Sequence, residues 1–66
     1  MIDISIIIVN YNVKEYIVDC IQSIIRWTPE TIQYEIIVVD NNSQDGSVNA
    51  LETKFPEITI LKNKNN

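Results

Sequence analysis

The hydrophobic pattern of the chain switches between two periods. Residues 2–9 form a nearly continuous apolar run, mostly β-branched and without alternation, and residues 36–39 repeat this character. Such runs are typical of strands that are buried on both faces of a parallel sheet. Between them, apolar residues recur at spacings of three and four, which predicts an amphipathic helix. This helix should end near Trp27, because Pro29 disfavours helical geometry at Thr28.

The first helix has a predicted start and a predicted inner face. Asn12 is a favourable N-cap residue, and Glu15 three positions on resembles the second half of a capping box. Cys20 is predicted to be an inert core residue on the apolar stripe, while Trp27 is predicted to close the helix end against the sheet. The stripe as a whole consists of Val13, Tyr16, Ile17, Cys20, Ile21, Ile24 and Ile25.

A second helix and a third strand follow the apolar strand at residues 34–40. The next segment predicts a turn and a helix start, with Ser43 or Asp45 as the cap. Residues 58–61 predict a short third strand, and residues 62–66 a polar exit. The inner face of the second helix is predicted to carry Val48, Leu51 and Phe55.

The element order is therefore β-α-β-α-β, a Rossmann-like α/β half with a three-stranded parallel sheet. Crossovers between parallel strands are right-handed in ~98% of cases, and with strand order 3-2-1 both helices then cover one face. The other face, which carries either Ile6 and Ile8 or Ile7 and Val9, is left bare. Because soluble monomers rarely expose such a patch, we expect residues 1–66 to be the N-terminal part of a larger domain whose remainder covers it. Self-association of the chain through its uncovered sheet face would solve the same problem.

The totals exclude several classes of protein. A chain of 66 residues buries only ~60% of its unfolded surface, so it forms one small domain or a piece of one. Its single cysteine permits no internal disulfide, and the absence of histidine excludes Ser-His-Asp and Cys-His sites. A net charge of −4 with five basic residues argues against binding to nucleic-acid phosphates. No apolar run approaches ~18 residues and no basic leader precedes the first strand, so the predicted location is the cytoplasm.

Candidate chemistry lies where two strands end in polar residues. Asp40 ends the second strand, and a carboxylate at the carboxyl end of a parallel strand points into the crevice where α/β sheets bind ligands. It could accept the N3–H of uracil or thymine; the alternative is that it caps the following turn or binds nearby backbone N–H groups. Tyr11 follows the first strand and could stack on a base, or it could serve packing alone. An acid and an aromatic ring together suggest a pocket for a flat heterocycle.

Phosphate binding has little support within the chain. Gly46 is the only glycine, which excludes a G-x-G-x-x-G fingerprint and a P-loop. A bound diphosphate would therefore need a divalent cation held by carboxylates from outside these residues. A phosphoacceptor receiver domain also places an Asp at a strand end, but it needs an acidic pair after the first strand, where this chain has Asn10 and Asn12.

Two segments carry a resemblance to a known family. Residues 5–12, Ser-Ile-Ile-Ile-Val-Asn-Tyr-Asn, and residues 35–47, from Glu-Ile-Ile-Val-Val-Asp to Asp-Gly-Ser, resemble the start of family 2 glycosyltransferases with the GT-A fold. They look most like the bacterial rhamnosyltransferase-like branch. The resemblance implies that the backbone around Val9 and the ring of Tyr11 contact the base of a nucleotide-sugar donor, and that Asp40 pairs with its N3–H. The donor would be UDP- or dTDP-linked, and the acceptor a saccharide or a lipid-linked molecule.

The resemblance also implies what these residues lack. In the family an Asp-x-Asp motif holds Mg²⁺ or Mn²⁺ against the diphosphate, and a later acid deprotonates the acceptor hydroxyl. Neither motif lies in this sequence, so we assign no catalytic and no metal-binding residue and expect the chain alone to be inactive and metal-free. The full-length enzyme would serve cell-wall or polysaccharide biosynthesis, in the cytoplasm or at the cytoplasmic face of the membrane. The rival hypothesis is a non-catalytic α/β interaction or oligomerisation module.

Overall fold

The computed structural model describes residues 1–64, and it contains the predicted order of strands and helices. Residues 65 and 66, the last of the predicted polar exit, lie outside the described residues. In the described part of the chain, no helix has the length and apolar character that crossing a bilayer requires. The elements are β1 (Ile4–Asn10), α1 (Lys14–Trp27), β2 (Tyr34–Asp40), α2 (Ser47–Lys54) and β3 (Thr59–Lys62).

The three strands form one parallel sheet in the order β1-β2-β3, which is the predicted order read from the other edge. β1 pairs with β2 from Ile4 opposite Tyr34 to Asn10 opposite Asp40. At the end of β2, Asp40 also lies opposite Lys62 of β3. The carboxyl ends of all three strands therefore meet at one edge of the sheet, where ligands of α/β proteins bind.

Both helices pack on the same face of the sheet, as predicted, and the core lies between them and the strands. Ile21, Val38 and Leu51, one from each of α1, β2 and α2, have no exposed surface. Full burial of such a side chain is worth roughly 1.5–3 kcal/mol. The buried core consists of Ile17, Ile21, Ile36, Val38, Leu51 and Phe55, against which the partly buried Ile6 and Ile8 of β1 pack.

The opposite face of the sheet is uncovered, which confirms the predicted bare face. Ile7 and Val9 are 65% and 63% exposed, so the pair that faces solvent is this one and not Ile6 and Ile8. Leu61 of β3 is also exposed. On the same side, Ser5 Oγ donates a hydrogen bond of 2.6 Å to Glu35 Oε2.

The predicted inner face of α1 includes more residues than the helix buries. Ile17 and Ile21 are buried, but Tyr16 and Trp27 are 79% and 77% exposed, and Cys20 is exposed as well. The predictions that Cys20 is a core residue and that Trp27 closes the helix against the sheet are therefore wrong. A helix that lies on a flat sheet buries only a narrow arc, and a stripe with spacings of three and four extends beyond that arc onto the flank of the helix.

The predicted helix caps differ from those of the structure. α1 begins at Lys14 with Val13 in the N-cap position and without a side-chain cap, so Asn12 and Glu15 do not form a capping box. Asn12 instead has a φ of 52°, in the left-handed region that Asn tolerates better than most residues, and the chain turns there. Gly46, with a φ of 81°, holds the N-cap position of α2 in place of the predicted Ser43 or Asp45.

Candidate functional site

Two polar side chains meet at the carboxyl edge of the sheet. The register places Asn10 directly beside Asp40. Both share the helix-facing side with Ile8 and Val38, because successive side chains alternate along a strand. Their exposed fractions are 0% and 3%. A carboxamide and a carboxylate therefore lie buried under the loops that lead into α1 and α2.

Each oxygen of the Asp40 carboxylate accepts a hydrogen bond within the chain. Asn10 Nδ2 donates to Oδ1 at 2.7 Å, and the backbone N–H of Ser43 donates to Oδ2 at 3.0 Å. Burial raises the pKa of Asp40, but hydrogen bonds from the Ser43 hydroxyl, the Ser43 N–H and the Asn10 amide lower it, and they outweigh both burial and the nearby charge of Asp45. Asp40 is therefore ionised at neutral pH.

Asn10 links three elements, a role that sequence reasoning missed. Its Nδ2 lies 2.8 Å from Ser47 Oγ, at the start of α2, and 3.2 Å from Ser43 Oγ, in addition to its bond with Asp40. Its Oδ1 is buried and has no hydrogen-bond partner among the described residues. The one available signal was an Asn that ends an apolar strand, and its meaning depends on the register with β2.

Asp45 serves the first turns of both helices. Its Oδ2 accepts the N–H of Lys14 at 2.9 Å, and its Oδ1 accepts the N–H of Ser47 at 3.0 Å. The predicted N-cap role of Asp45 is wrong in position, because Gly46 holds the N-cap of α2, but the Asp45 carboxylate still accepts the first N–H group of each helix. The Ser47 hydroxyl and the two backbone N–H groups lower the pKa of Asp45 in spite of burial. A negative charge at two helix N-termini is also favourable for both helix dipoles.

The loops between β1 and α1 and between β2 and α2 are joined directly. The N–H of Asn12 donates to Ser43 Oγ at 3.0 Å, and the N–H of Gln44 donates to Asn12 Oδ1 at 2.7 Å. Asn42 has a φ of 60°, so each loop contains an asparagine in the left-handed region. Since such residues persist where their surroundings hold them, the crossed hydrogen bonds define one arrangement of the two loops.

The three predicted nucleotide-binding residues fall into two groups. Val9 and Tyr11 are 63% and 53% exposed, with the Val9 side chain on the bare face and Tyr11 in the loop after β1. Asp40 is buried on the helix-facing side, and its contacts are those of the alternative interpretation, in which the carboxylate binds a nearby backbone N–H. Contact of Asp40 with a base stays a prediction.

An open cavity of about 470 Å³ lies at the other edge of the sheet, where β2 begins and both helices end. Its lining includes Ile25, Tyr34, Lys54 and Phe55, so it is not the predicted slot for a base.

The described residues do not fit a divalent cation. Within residues 1–64, no group of three or more His, Cys, Asp and Glu side chains is arranged to hold a metal ion. Asp40 and Asp45 are close neighbours, but their oxygens bind protein N–H groups. No step that involves Mg²⁺ or Mn²⁺ can be derived from these residues.

Comparison with known proteins identifies the family. Residues 5–66 match the profile described as Glycosyl transferase family 2, which covers nearly the whole chain. The chain belongs to glycosyl transferase family 2. The predicted family is confirmed, and the fold agrees with it, since the parallel sheet with two helices is the predicted Rossmann-like half.

Two curated proteins are also similar to this family 2 chain. It is 43% identical over 61 residues to the glycosyltransferase AglE of Haloferax volcanii, which covers 88% of this chain and 20% of AglE. It is 34% identical over 62 residues to the poly(ribitol-phosphate) beta-glucosyltransferase of Bacillus spizizenii, which covers 89% of this chain and 10% of that protein. The chain thus spans a tenth to a fifth of the length of these relatives.

Proposed function

We propose that this chain is the donor-nucleotide-binding part of a glycosyltransferase that transfers a sugar from a UDP- or dTDP-linked donor to an acceptor hydroxyl. The observation that carries the proposal is the carboxyl edge of a parallel sheet, in a family 2 chain, where exposed Tyr11 lies in a loop that is hydrogen-bonded to the loop after β2. Open α/β sheets bind ligands at this edge. Both relatives are named as glycosyltransferases, which supports the proposed reaction.

In this proposal the ring of Tyr11 stacks on the base and the backbone around Val9 contacts its edge. Stacking of a base on an aromatic side chain is worth about 1–3 kcal/mol. An N3–H contact with Asp40 requires the loop at Ser43 to move, because the carboxylate is only 3% exposed. If Asp40 only supports the loop, no such contact forms, and uracil and cytosine bind alike.

We propose that the metal, the acceptor and the location are those of a longer protein of which residues 1–66 form a part. We expect Mg²⁺ or Mn²⁺ to neutralise the donor diphosphate there, through ligands outside residues 1–66, and a saccharide or lipid-linked molecule to accept the sugar. Residues 1–66 alone should bind the nucleotide weakly and transfer nothing. The rhamnosyltransferase-like branch and a location in the cytoplasm or at its membrane face stay predictions, which a donor-sugar assay and cell fractionation of the full-length protein would check.

The bare face supports a further part of the proposal, self-association of the isolated chain. Ile7, Val9 and Leu61 expose apolar surface on the side of the sheet that lacks helices. Burial of apolar area at roughly 25 cal/mol per Å² favours pairing of two such faces. In a longer protein, other parts of the same domain would compete for this surface.

The direct test is a titration of the chain with UDP, dTDP and CDP, followed by NMR. Shifts should be confined to Val9, Tyr11 and the two loops, and Tyr11→Ala should weaken binding about tenfold or more through lost stacking. Tyr16→Ala is the matched control, because Tyr16 is an exposed tyrosine that lies on α1 and not in either loop. Nucleotides that leave Tyr11 unmoved at millimolar concentration would contradict the proposal and favour the non-catalytic interaction module.

The same titration decides the role of Asp40. If its carboxylate accepts the N3–H, UDP and dTDP should bind more tightly than CDP, which has no hydrogen at N3. Asp40→Asn should then abolish this preference and cost roughly 1–3 kcal/mol of UDP binding, as expected when a buried partner is left poorly paired. Equal affinity for UDP and CDP would assign Asp40 to support of the loop.

A further inference from the structure

Asn10 joins three elements through one nitrogen atom. Its two short bonds, to Asp40 Oδ1 at 2.7 Å and to Ser47 Oγ at 2.8 Å, use both hydrogens of the amide. The longer approach to Ser43 Oγ at 3.2 Å is secondary. The ionised carboxylate also fixes which way the amide points, because the reverse orientation would set two oxygens 2.7 Å apart.

The buried carboxamide has one unpaired atom as well as its bonds. Oδ1 of Asn10 has no partner among the described residues, and an unpaired buried acceptor is destabilising. An apolar side chain of similar shape would avoid that penalty, but it would leave Asp40 Oδ1 and Ser47 Oγ without the donor that Asn10 supplies. The amide therefore contributes to geometry as well as to stability, by deciding where its partners lie.

The bonds lead from Asn10 into both loops. Asp40 holds the N–H of Ser43 with its second oxygen, and Ser43 Oγ accepts the N–H of Asn12. Asn10 and Asn12 are the two neighbours of Tyr11 in the chain, so Tyr11 is anchored on both sides while its own side chain is exposed. The backbone on both sides of Tyr11 is thus held by a network that begins at the buried Asn10.

We propose that Asn10 is a positioning residue of the nucleotide site: through Asp40 and Ser43 it holds the two loops in one arrangement and fixes the backbone of Tyr11. This inference rests on the proposed function, since it assigns a role within the same site. It adds a residue that acts on the donor indirectly, by keeping the stacking surface in place.

The bond between Asn10 and Asp40 depends on the charge of the two side chains, so the proposed role predicts a specific dependence on pH. Other charges around Asp40 are Asp45 in the loop, whose carboxylate binds the N–H of Lys14 on α1, and Lys62 of β3, which pairs with Glu52 of α2 at 3.5 Å. In the native chain, protonation of Asp40 at low pH weakens the link. In Asn10→Asp, two carboxylates repel each other near neutral pH, and a proton shared between them at lower pH restores a donor.

The test compares two isosteric variants of the 66-residue chain, Asn10→Asp and Asn10→Leu, with Ser5→Ala as control. Ser5 also makes a side-chain bond from β1 to β2, but on the bare face. Amide hydrogen exchange measures the protection of the N–H groups of Lys14, Ser43 and Gln44, each of which donates to a side chain of the network. UDP affinity is measured on the same samples. Shifts of core methyl groups establish which variants are folded.

Near neutral pH, protection at all three amides should fall about tenfold in both Asn10 variants, with weaker UDP binding, and remain unchanged in Ser5→Ala. As the pH is lowered, Asn10→Asp should regain protection and UDP affinity, whereas Asn10→Leu should not. Identical behaviour of the two variants at every pH would overturn the inference. So would a loss of protection at Ser43 alone, or unchanged UDP affinity in both folded variants.

Two further outcomes are decisive. If the native chain binds no UDP but the exchange pattern holds, the proposed function fails while the loop-positioning role of Asn10 stands. If both Asn10 variants fail to fold, the native chain supplies the test: protection at Lys14, Ser43 and Gln44 should decrease together as Asp40 is protonated. Independent loss at the three amides would overturn the inference.

Discussion

The two faces of the sheet are made by the same strands, yet only one of them is stabilised by packing. Along β1, Ile6 and Ile8 pack against the helices, while Ile7 and Val9 between and beyond them remain mostly exposed. The residue types on the two faces are alike, so the side on which the helices lie decides which side chains are buried. The covered face also carries the buried polar network at its carboxyl end, whereas the bare face combines apolar surface with one exposed bond between Ser5 and Glu35. A run that is apolar on both sides therefore predicts two covering layers, of which residues 1–64 form one.

The largest contrast between the faces should appear with two leucines. Leu51→Ala, on the covered face, should lower the free energy of unfolding by about 2–5 kcal/mol, because it leaves a cavity in the core. That is a large share of the roughly 3–10 kcal/mol expected for a chain of this length. Leu61→Ala, on the bare face, should change it by less than about 1 kcal/mol. Urea unfolding followed by circular dichroism measures both, and equal losses would show that the bare face is covered in solution.

A smaller contrast should separate two serines. Ser47 is fully buried, and its hydroxyl accepts the bond from Asn10. Ser47→Ala should cost about 1–2 kcal/mol, since it leaves part of a buried network unpaired. Ser5→Ala removes an exposed bond to Glu35 and should stay within about 0.5 kcal/mol. The same urea experiment compares them, and an equal cost would contradict the central place of the network.

Acid should affect the covered face through its carboxylates. The folded state lowers the pKa of Asp40 and of Asp45, so each stabilises the chain fully above the ordinary aspartate value of about 4. This contribution is lost as the pH falls through the lowered values of the folded state. Stability should therefore decrease below about pH 4, and less so in Asp40→Asn, which has no such proton to bind. An identical acid dependence in that variant would show that Asp40 contributes nothing to it.

The smallest effect on stability is expected at Ile7. Ile7→Thr keeps the β-branched shape in the strand but replaces apolar surface on the bare face. It should leave the unfolding free energy nearly unchanged and reduce self-association of the isolated chain. Sedimentation velocity over a range of concentrations measures the association, with Tyr16→Ala on α1 as the control for loss of exposed apolar surface elsewhere. Unchanged association would place the contact on another surface.

Most of the fold could be predicted from the sequence, because it depends on local patterns. The β-branched runs gave β1 and β2, and the spacing of apolar residues gave α1. The width of the buried arc could not be predicted in this way, since Tyr16 and Cys20 fit the helical period as well as Ile17 does. Only the packing of the helix on the sheet shows which of them faces the core.

The candidate site was harder to predict from the sequence, because its bonds join residues that are distant in the sequence. Asn10 gains its role from the register that places it beside Asp40, and Asn12 binds the other loop where a local cap was predicted. Tyr11 was recognised because an aromatic residue after a strand is a local signal. The buried partners of a site of this kind become visible only when the strands are aligned.

The register also determines how the chain reaches its native state. Asn10 and Asp40 are 30 positions apart, so the first contact between β1 and β2 requires the closure of a long loop that contains all of α1. Closure of such a loop costs entropy before any pairing compensates for it. We therefore expect α1 to form early. The pairing of β1 with β2 should follow later and should be the slow step in folding.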